Sequence, residues 1–146
     1  MQSISLADVL GLSSLPGGLE LSSDNPELSV GEDNLICRAA RLLNEHLGLN
    51  RGAKFSLQKR IPLAAGLAGG STDAAGALRG LNQLWQLGLS KAELEDLGGR
   101  LGSDIPFCLS GGTALARGRG DRLTSLSVKT GWWLVLVRPP IEVSTA

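Results

Sequence analysis

Strict alternation marks one strand of the chain. Ala53, Phe55 and Leu57 are apolar where Lys54, Ser56 and Gln58 are polar, the period of a strand with one buried face, ending at Lys59–Arg60. Leu19 and Leu21 alternate the same way inside Gly11–Asn25, a stretch otherwise read as loop. Ile4, Leu6 and Val9 give Met1–Leu10 a strand-like pattern. Elsewhere the spacing is helical. Leu35, Ile36, Ala39, Ala40, Leu42, Leu43 and Leu47 form one stripe, with Asn34 as N-cap and Gly48 at the stop. A helix of small residues is expected from near Ser71 to about Trp85. Ser90 and Glu93 make a capping box before Leu94, Leu97 and Leu101, the inward positions of the next helix. Asp104-Ile105-Pro106 opens a short helix, with Pro106 in the first turn where its missing N–H costs nothing. Thr113–Arg117 and Trp132–Arg138 read as strands, the second nearly continuous in apolar residues and so expected at the centre of a sheet. Helices and strands mix without a regular βαβ repeat, which predicts an α+β fold.

The 146 residues fit one domain able to bury roughly 68–70% of its unfolded surface. Its 14 basic and 14 acidic side chains cancel, which removes the general attraction to nucleic acid or an anionic membrane. Three tryptophans and two phenylalanines leave little for stacking single-stranded bases. No apolar run approaches the ~20 residues of a membrane span, and no basic segment followed by an apolar stretch marks a secretory signal. Cys37 and Cys108 can make neither a disulfide framework nor a four-ligand zinc site. A reducing, cytoplasmic compartment is therefore expected. Glycine departs from the ordinary: it counts 20, about twice the usual share, and clusters in Gly66–Gly80 and Gly98–Gly120.

The densest chemistry lies in Pro62-Leu63-Ala64-Ala65-Gly66-Leu67-Ala68-Gly69-Gly70-Ser71-Thr72-Asp73-Ala74-Ala75. A strand delivers the chain to Pro62, a glycine-rich loop follows, and small residues start a helix. Successive backbone N–H groups in such a loop can surround phosphate oxygens, and the helix N-terminus adds about half a positive charge. Ser71 and Thr72 offer hydroxyls to a phosphate or to a phosphate-bound cation. The loop is not a Walker loop, because no Gly-Lys-Ser/Thr occurs, and Gly66-Leu67-Ala68 breaks the first Gly-x-Gly of a dinucleotide fingerprint. The structural alternative is close helix packing through Gly76 and Gly80.

Pro62 to Ala75 resembles the second motif of the GHMP kinase superfamily, which includes galactokinase, homoserine kinase, mevalonate kinase and phosphomevalonate kinase. Glu32-Asp33-Asn34-Leu35, Lys59-Arg60-Ile61-Pro62, Leu81-Asn82-Gln83-Leu84-Trp85 and Leu101-Gly102-Ser103-Asp104-Ile105-Pro106 narrow the resemblance to the 4-diphosphocytidyl-2-C-methyl-D-erythritol kinase family of the non-mevalonate isoprenoid pathway. The resemblance implies a GHMP-kinase N-terminal domain, of the ribosomal protein S5 domain 2-like kind, lacking its first strand. It implies that Pro62 to Thr72 bind the ATP phosphates, that Asn34 and Lys59 lie near the adenine, and that Asp104 is the catalytic, substrate-facing aspartate. Thr145 matches a threonine near the transferred group. Mg2+ would be held mainly by ATP phosphates, with Ser71 the best protein hydroxyl. The reaction implied is phosphorylation of the 2-hydroxyl of a cytidine diphosphate-linked methylerythritol, with Asp104 accepting or orienting the hydroxyl proton.

The family's Pro-Ala-Lys strand, its Asp-Gly-Tyr-His segment and its carboxy-terminal domain have no counterpart in the sequence. Residues 1–146 are thus expected to be a single truncated ATP-binding domain, inactive by itself and poorly soluble through an exposed sheet edge and apolar face. A plastid location is the alternative if a transit peptide preceded it. Two other functions stay open: a catalytically incompetent nucleotide-binding module, and a GHMP kinase for another acceptor such as homoserine or mevalonate. His46, with no second histidine, reads as solvent-facing or capping, and Cys37 and Cys108 as buried packing. Trp132–Trp133 read as core or as a surface left by a missing domain, and Arg117, Arg119 and Arg122 as a solvated turn.

Overall fold

A computed structural model describes residues 1–118, 120, 122–128 and 131–137. A three-stranded sheet comprises β1 (Val9–Leu15), β2 (Leu19–Ser23) and β3 (Gly52–Gln58), in the order β1-β3-β2. β3 is central, antiparallel to β1 in the register Leu12↔Phe55 and parallel to β2 in the register Leu21↔Phe55. Parallel neighbours need a crossover, and α1 (Leu35–Leu47) supplies it between β2 and β3. The architecture is mixed α and β, with this one βαβ unit.

Helices α1 and α2 (Gly69–Leu84) pack on the sheet, and α3 (Lys91–Leu101) and α4 (Ile105–Ser110) pack on those helices. Ala53, Phe55 and Leu57 of β3 meet Ile36, Ala39, Ala40 and Leu43 of α1 and Ala74, Ala77, Leu78 and Leu81 of α2. Small residues on α2 bring it close to the sheet: a Cβ on Gly80 would fall 2.9 Å from Leu12 of β1. Packing through the glycines therefore accounts for the back half of α2, but not for the loop ahead of it. A two-stranded ribbon, β4 (Ala114–Arg117) with β5 (Arg122–Ser125), completes the described elements.

The helix ends follow local chemistry. Asn34 Oδ1 accepts the Ile36 amide at 2.9 Å and caps α1, and Gly48 closes it in the left-handed region at φ 62°. Ser90 and Glu93 form the reciprocal capping box of α3. His46 is exposed in the last turn of α1, while Cys37 is buried and Cys108 half-buried.

Two expectations need correction. The first strand is Val9–Leu15, not Met1–Leu10, and it runs through Gly11 because pairing with β3 outweighs glycine's weak preference for strand. Within Met1–Leu10, Gln2 contributes only an isolated bridge to Thr113. Residues 131–137 form no strand: Trp133 is 100% exposed, Trp132 78% and Val135 90%, so the tryptophans are not core. Apolar composition signals a wish for burial, but a strand exists only where a neighbour takes its backbone hydrogen bonds, and no described residue does so here. Arg119, Arg138 and Thr145 lie outside the described residues.

Candidate functional site

The loop between β3 and α2 has an unusual backbone. Ala64 (φ 51°), Gly66 (φ 68°) and Ala68 (φ 53°) take the left-handed region at every second position. Left-handed geometry costs an alanine about 1–3 kcal/mol, so the surrounding structure must hold it there. Alternation of this kind turns successive amides toward a common side, the geometry of an anion-binding nest. Among the described residues, no amide from Leu63 to Ser71 makes a close, well-aligned hydrogen bond to a protein acceptor, the tight turn at Leu63–Ala64 being only weakly bonded; the first to do so is Thr72, to the Ala68 carbonyl at 2.9 Å. Ala68 is the N-cap of α2 and offers no side-chain oxygen, so the orphan donors of the helix add to those of the loop. The Ser71 hydroxyl has no protein partner among the described residues, whereas Thr72 Oγ1 donates to the Ala68 carbonyl at 3.0 Å and lies 3.5 Å from Cys108 Sγ.

That last contact ties the loop to α4. Asp104 occupies the N-cap position of α4 but makes no side-chain cap bond, and among the described residues it has no ion-pair partner. Its carbonyl accepts the Cys108 amide at 3.1 Å, so the carboxylate stands one helical turn from the residue that touches Thr72. The fold thus packs the first turn of α2, where the loop ends, against α4.

Beneath the loop lies a cluster that the motif reading did not anticipate. Lys59 Nζ is 2.5 Å from Asp8 Oδ2 and 2.8 Å from Asp73 Oδ2, and the three side chains are only 3%, 2% and 6% exposed. Lys59 is therefore enclosed in protein, and Asn34, which also donates to the Ser29 carbonyl at 2.7 Å, spends its amide on local backbone. Asp8 Oδ1 also accepts the amides of Arg60 and Ile61, and Asp24 Oδ1 accepts that of Lys59 at 2.8 Å. Burial pushes the Asp8 carboxyl up, but hydrogen bonds from Lys59 and from the Ile61 and Arg60 amides outweigh it and hold it below the usual range. Asp73 has no amides to help it: burial dominates and lifts it to about 6 despite Lys59. Burial works against the Lys59 charge, yet its two carboxylates keep its pKa above the ordinary value. Asp73 was detectable as a carboxylate beside Ala74, Ala77 and Leu78 on the inner face of α2; Asp8 carries no sequence signal, since only the fold brings it to Lys59.

Two clefts lie elsewhere. One of about 810 Å3 is lined by Arg100, Gly102, Ser103 and Pro106 among others, and one of about 450 Å3 by Arg79, Asn82, Lys91 and Ser110. Neither includes the 62–72 loop, whose claim rests on amides without close protein acceptors and not on enclosed volume. Among the described residues, no group of three His, Cys, Asp or Glu side chains could hold a metal ion, and no helix is long and apolar enough to cross a membrane.

Residues 34–112, which contain the loop and Asp104, match the family model described as the GHMP kinases N terminal domain. The chain belongs to the GHMP kinases. Curated relatives named 4-diphosphocytidyl-2-C-methyl-D-erythritol kinase include those of Geobacillus thermodenitrificans, 50% identical over 148 residues, and a Synechococcus species, 51% identical over 147. Both alignments take in 100% of this chain but 51% and 47% of the relatives, so the chain spans about half the length of the curated relatives it matches. Among solved structures, a 4-(cytidine 5'-diphospho)-2C-methyl-D-erythritol kinase matches with TM-score 0.73 and 42% identity, over 86% of this chain and 44% of that one. Cytophaga hutchinsonii homoserine kinase, at TM-score 0.66 and 24% identity over 76% of this chain and 40% of that one, shares the fold of this GHMP kinase domain.

Proposed function

We propose that residues 1–146 are the ATP-binding domain of a 4-diphosphocytidyl-2-C-methyl-D-erythritol kinase, and that activity belongs to the longer protein in which this domain meets a second one. The observation that carries the reading is the loop of left-handed turns whose amides lack close protein acceptors, joined to α4 by the 3.5 Å contact of Thr72 Oγ1 with Cys108 Sγ, one turn along from Asp104. These amides would bind and orient the triphosphate of ATP, and water excluded from the loop would strengthen each contact. Asn34 and Lys59 would flank the nucleotide through the backbone they fix, because their side chains are already engaged. Asp104 would accept or orient the proton of the attacking 2-hydroxyl, since phosphoryl transfer depends on positioning and charge neutralisation. A Ser71 hydroxyl without a protein partner suits Mg2+, which when bound with ATP neutralises charge on the phosphates. Thr145 would serve on the acceptor side. The close relatives favour the cytidyl acceptor over homoserine or mevalonate.

The test is ADP release by the longer protein carrying this domain, supplied with ATP and each of the three acceptors. Turnover should require the cytidyl acceptor, and Asp104→Asn should lower kcat by about 10²–10⁴-fold with little change in the KM for ATP. Turnover with homoserine or mevalonate instead, or an Asp104→Asn variant of unchanged kcat, would overturn it.

A further inference from the structure

The phosphate loop begins after Lys59 and ends before Asp73, and the ion pair between those residues closes it from below. Lys59 reaches under the first turn of α2 so closely that a Cβ on Gly69 would lie 3.0 Å from its ammonium and 3.0 Å from Ile61 Cγ2. The same ammonium holds Asp8, which in turn carries the Arg60 and Ile61 amides where the chain enters the loop. Both ends of the loop are thereby fixed to one buried charge, while from Leu63 to Ser71 the loop has no close amide bond of its own and passes through strained left-handed turns.

We infer that Lys59, clamped between Asp8 and Asp73, is a positioning residue for the nucleotide: it touches no phosphate but sets the spacing of the two ends of the loop that receives them. The inference rests on the nucleotide-binding reading above and adds to it a residue whose role differs from direct contact with the base. Such a brace acts by preorganisation. An unbraced loop with those backbone angles would relax, and its amides would have to be reassembled around each incoming triphosphate. Displacement of an ångström at a phosphate contact is enough to cost orders of magnitude. A brace made of ions is also directional: Lys59 can satisfy both carboxylates at once only when α2 and the loop approach are at the observed spacing.

In the longer protein, KM for ATP, KM for the acceptor and kcat are measured for Lys59→Met, Asp73→Asn and the double variant, with direct ATP titration of the unsubstituted protein alongside. Lys59→Met is expected to raise the KM for ATP about tenfold or more while the KM for the acceptor stays within about twofold. Asp73→Asn, which keeps an oxygen for Lys59, should raise it only about two- to threefold, and the double variant should add little to Lys59→Met alone. A KM for ATP that is unchanged in a folded Lys59→Met protein overturns the inference, as does an equal rise in both KM values, the mark of general loosening. If Lys59→Met does not fold, Asp73→Leu, which leaves Lys59 its Asp8 partner, decides the matter by the same split: a rise confined to ATP supports the inference, and no rise or an equal rise overturns it. Failure of the unsubstituted protein to bind ATP would remove the nucleotide-loop reading and this inference together; ATP binding that is indifferent to the variants would remove this inference alone.

Discussion

Two adjoining stretches of backbone are treated in opposite ways. From Lys59 to Ile61 every amide is taken by a carboxylate, Asp24 for the first and Asp8 for the next two. From Leu63 to Ser71 no amide has a close protein partner among the described residues. The first stretch extends the order of β3 past its last ladder bond by means of side chains; the second suspends that order where a ligand's oxygens can take over. The contrast teaches that an open loop depends on a saturated stretch next to it. Donors can be left unpaired at the surface only because the backbone that presents them has been fixed from the buried side.

The comparison can be broken most directly at Asp8. Asp8→Ala strips Lys59 of one buried partner and leaves the Arg60 and Ile61 amides without their acceptor, so a loss of about 3–5 kcal/mol is expected in urea denaturation. A loss below about 1 kcal/mol, no more than an exposed pair gives, would show that the saturated stretch does not brace its neighbour.

Acid titration sharpens the contrast between the two carboxylates. Folded Asp73 keeps its proton up to about 6 and unfolded Asp73 releases it near 3.8. In that window the folded state binds more protons, so the Asp73 contribution to stability falls as pH rises from 3.8 to about 6. Asp8, held below its ordinary value, contributes with the opposite sign: stability that is present above 3.8 and is lost as pH falls through its folded pKa. The stability of Asp73→Asn relative to the unsubstituted protein should therefore rise across the window, by no more than about 3 kcal/mol. A flat difference across the same pH range would remove burial of Asp73 as the cause.

The smallest effects lie at the junction of the two stretches. Gly69→Ala brings a methyl group against Lys59 and Ile61 and should cost about 1–3 kcal/mol. Its neighbour should behave in reverse. Ala68→Gly relieves a φ of 53° and should leave thermal stability unchanged or raise it by up to about 1 kcal/mol. Equal losses from both substitutions would mean that neither crowding nor backbone strain distinguishes the two positions.

Much of this was legible in the sequence because it is local. The α1 cap at Asn34, the glycine stop at Gly48 and the Ser90–Glu93 box are decided within a few residues, and the structure has all three. The place of the glycine loop, between β3 and α2, was legible for the same reason. What escaped depends on distance. Asp8 reaches Lys59 across 51 positions of sequence, and no periodicity encodes that meeting. Val9–Leu15 was misplaced because a cross-strand partner, β3, decides whether Gly11 is extended. Trp132–Val137 erred in the other direction, its apolar content being read as a strand when a strand also needs a neighbour.

The opposed treatment of the two stretches sets two clocks in one short peptide. Amides from Leu63 to Ser71, without close protein acceptors, should trade their hydrogens with solvent sooner than those of Arg60 and Ile61, which must wait until a buried carboxylate lets go. The peptide that spans them thus records, side by side in deuterium uptake, the exposure of the loop and the lifetime of its foundation.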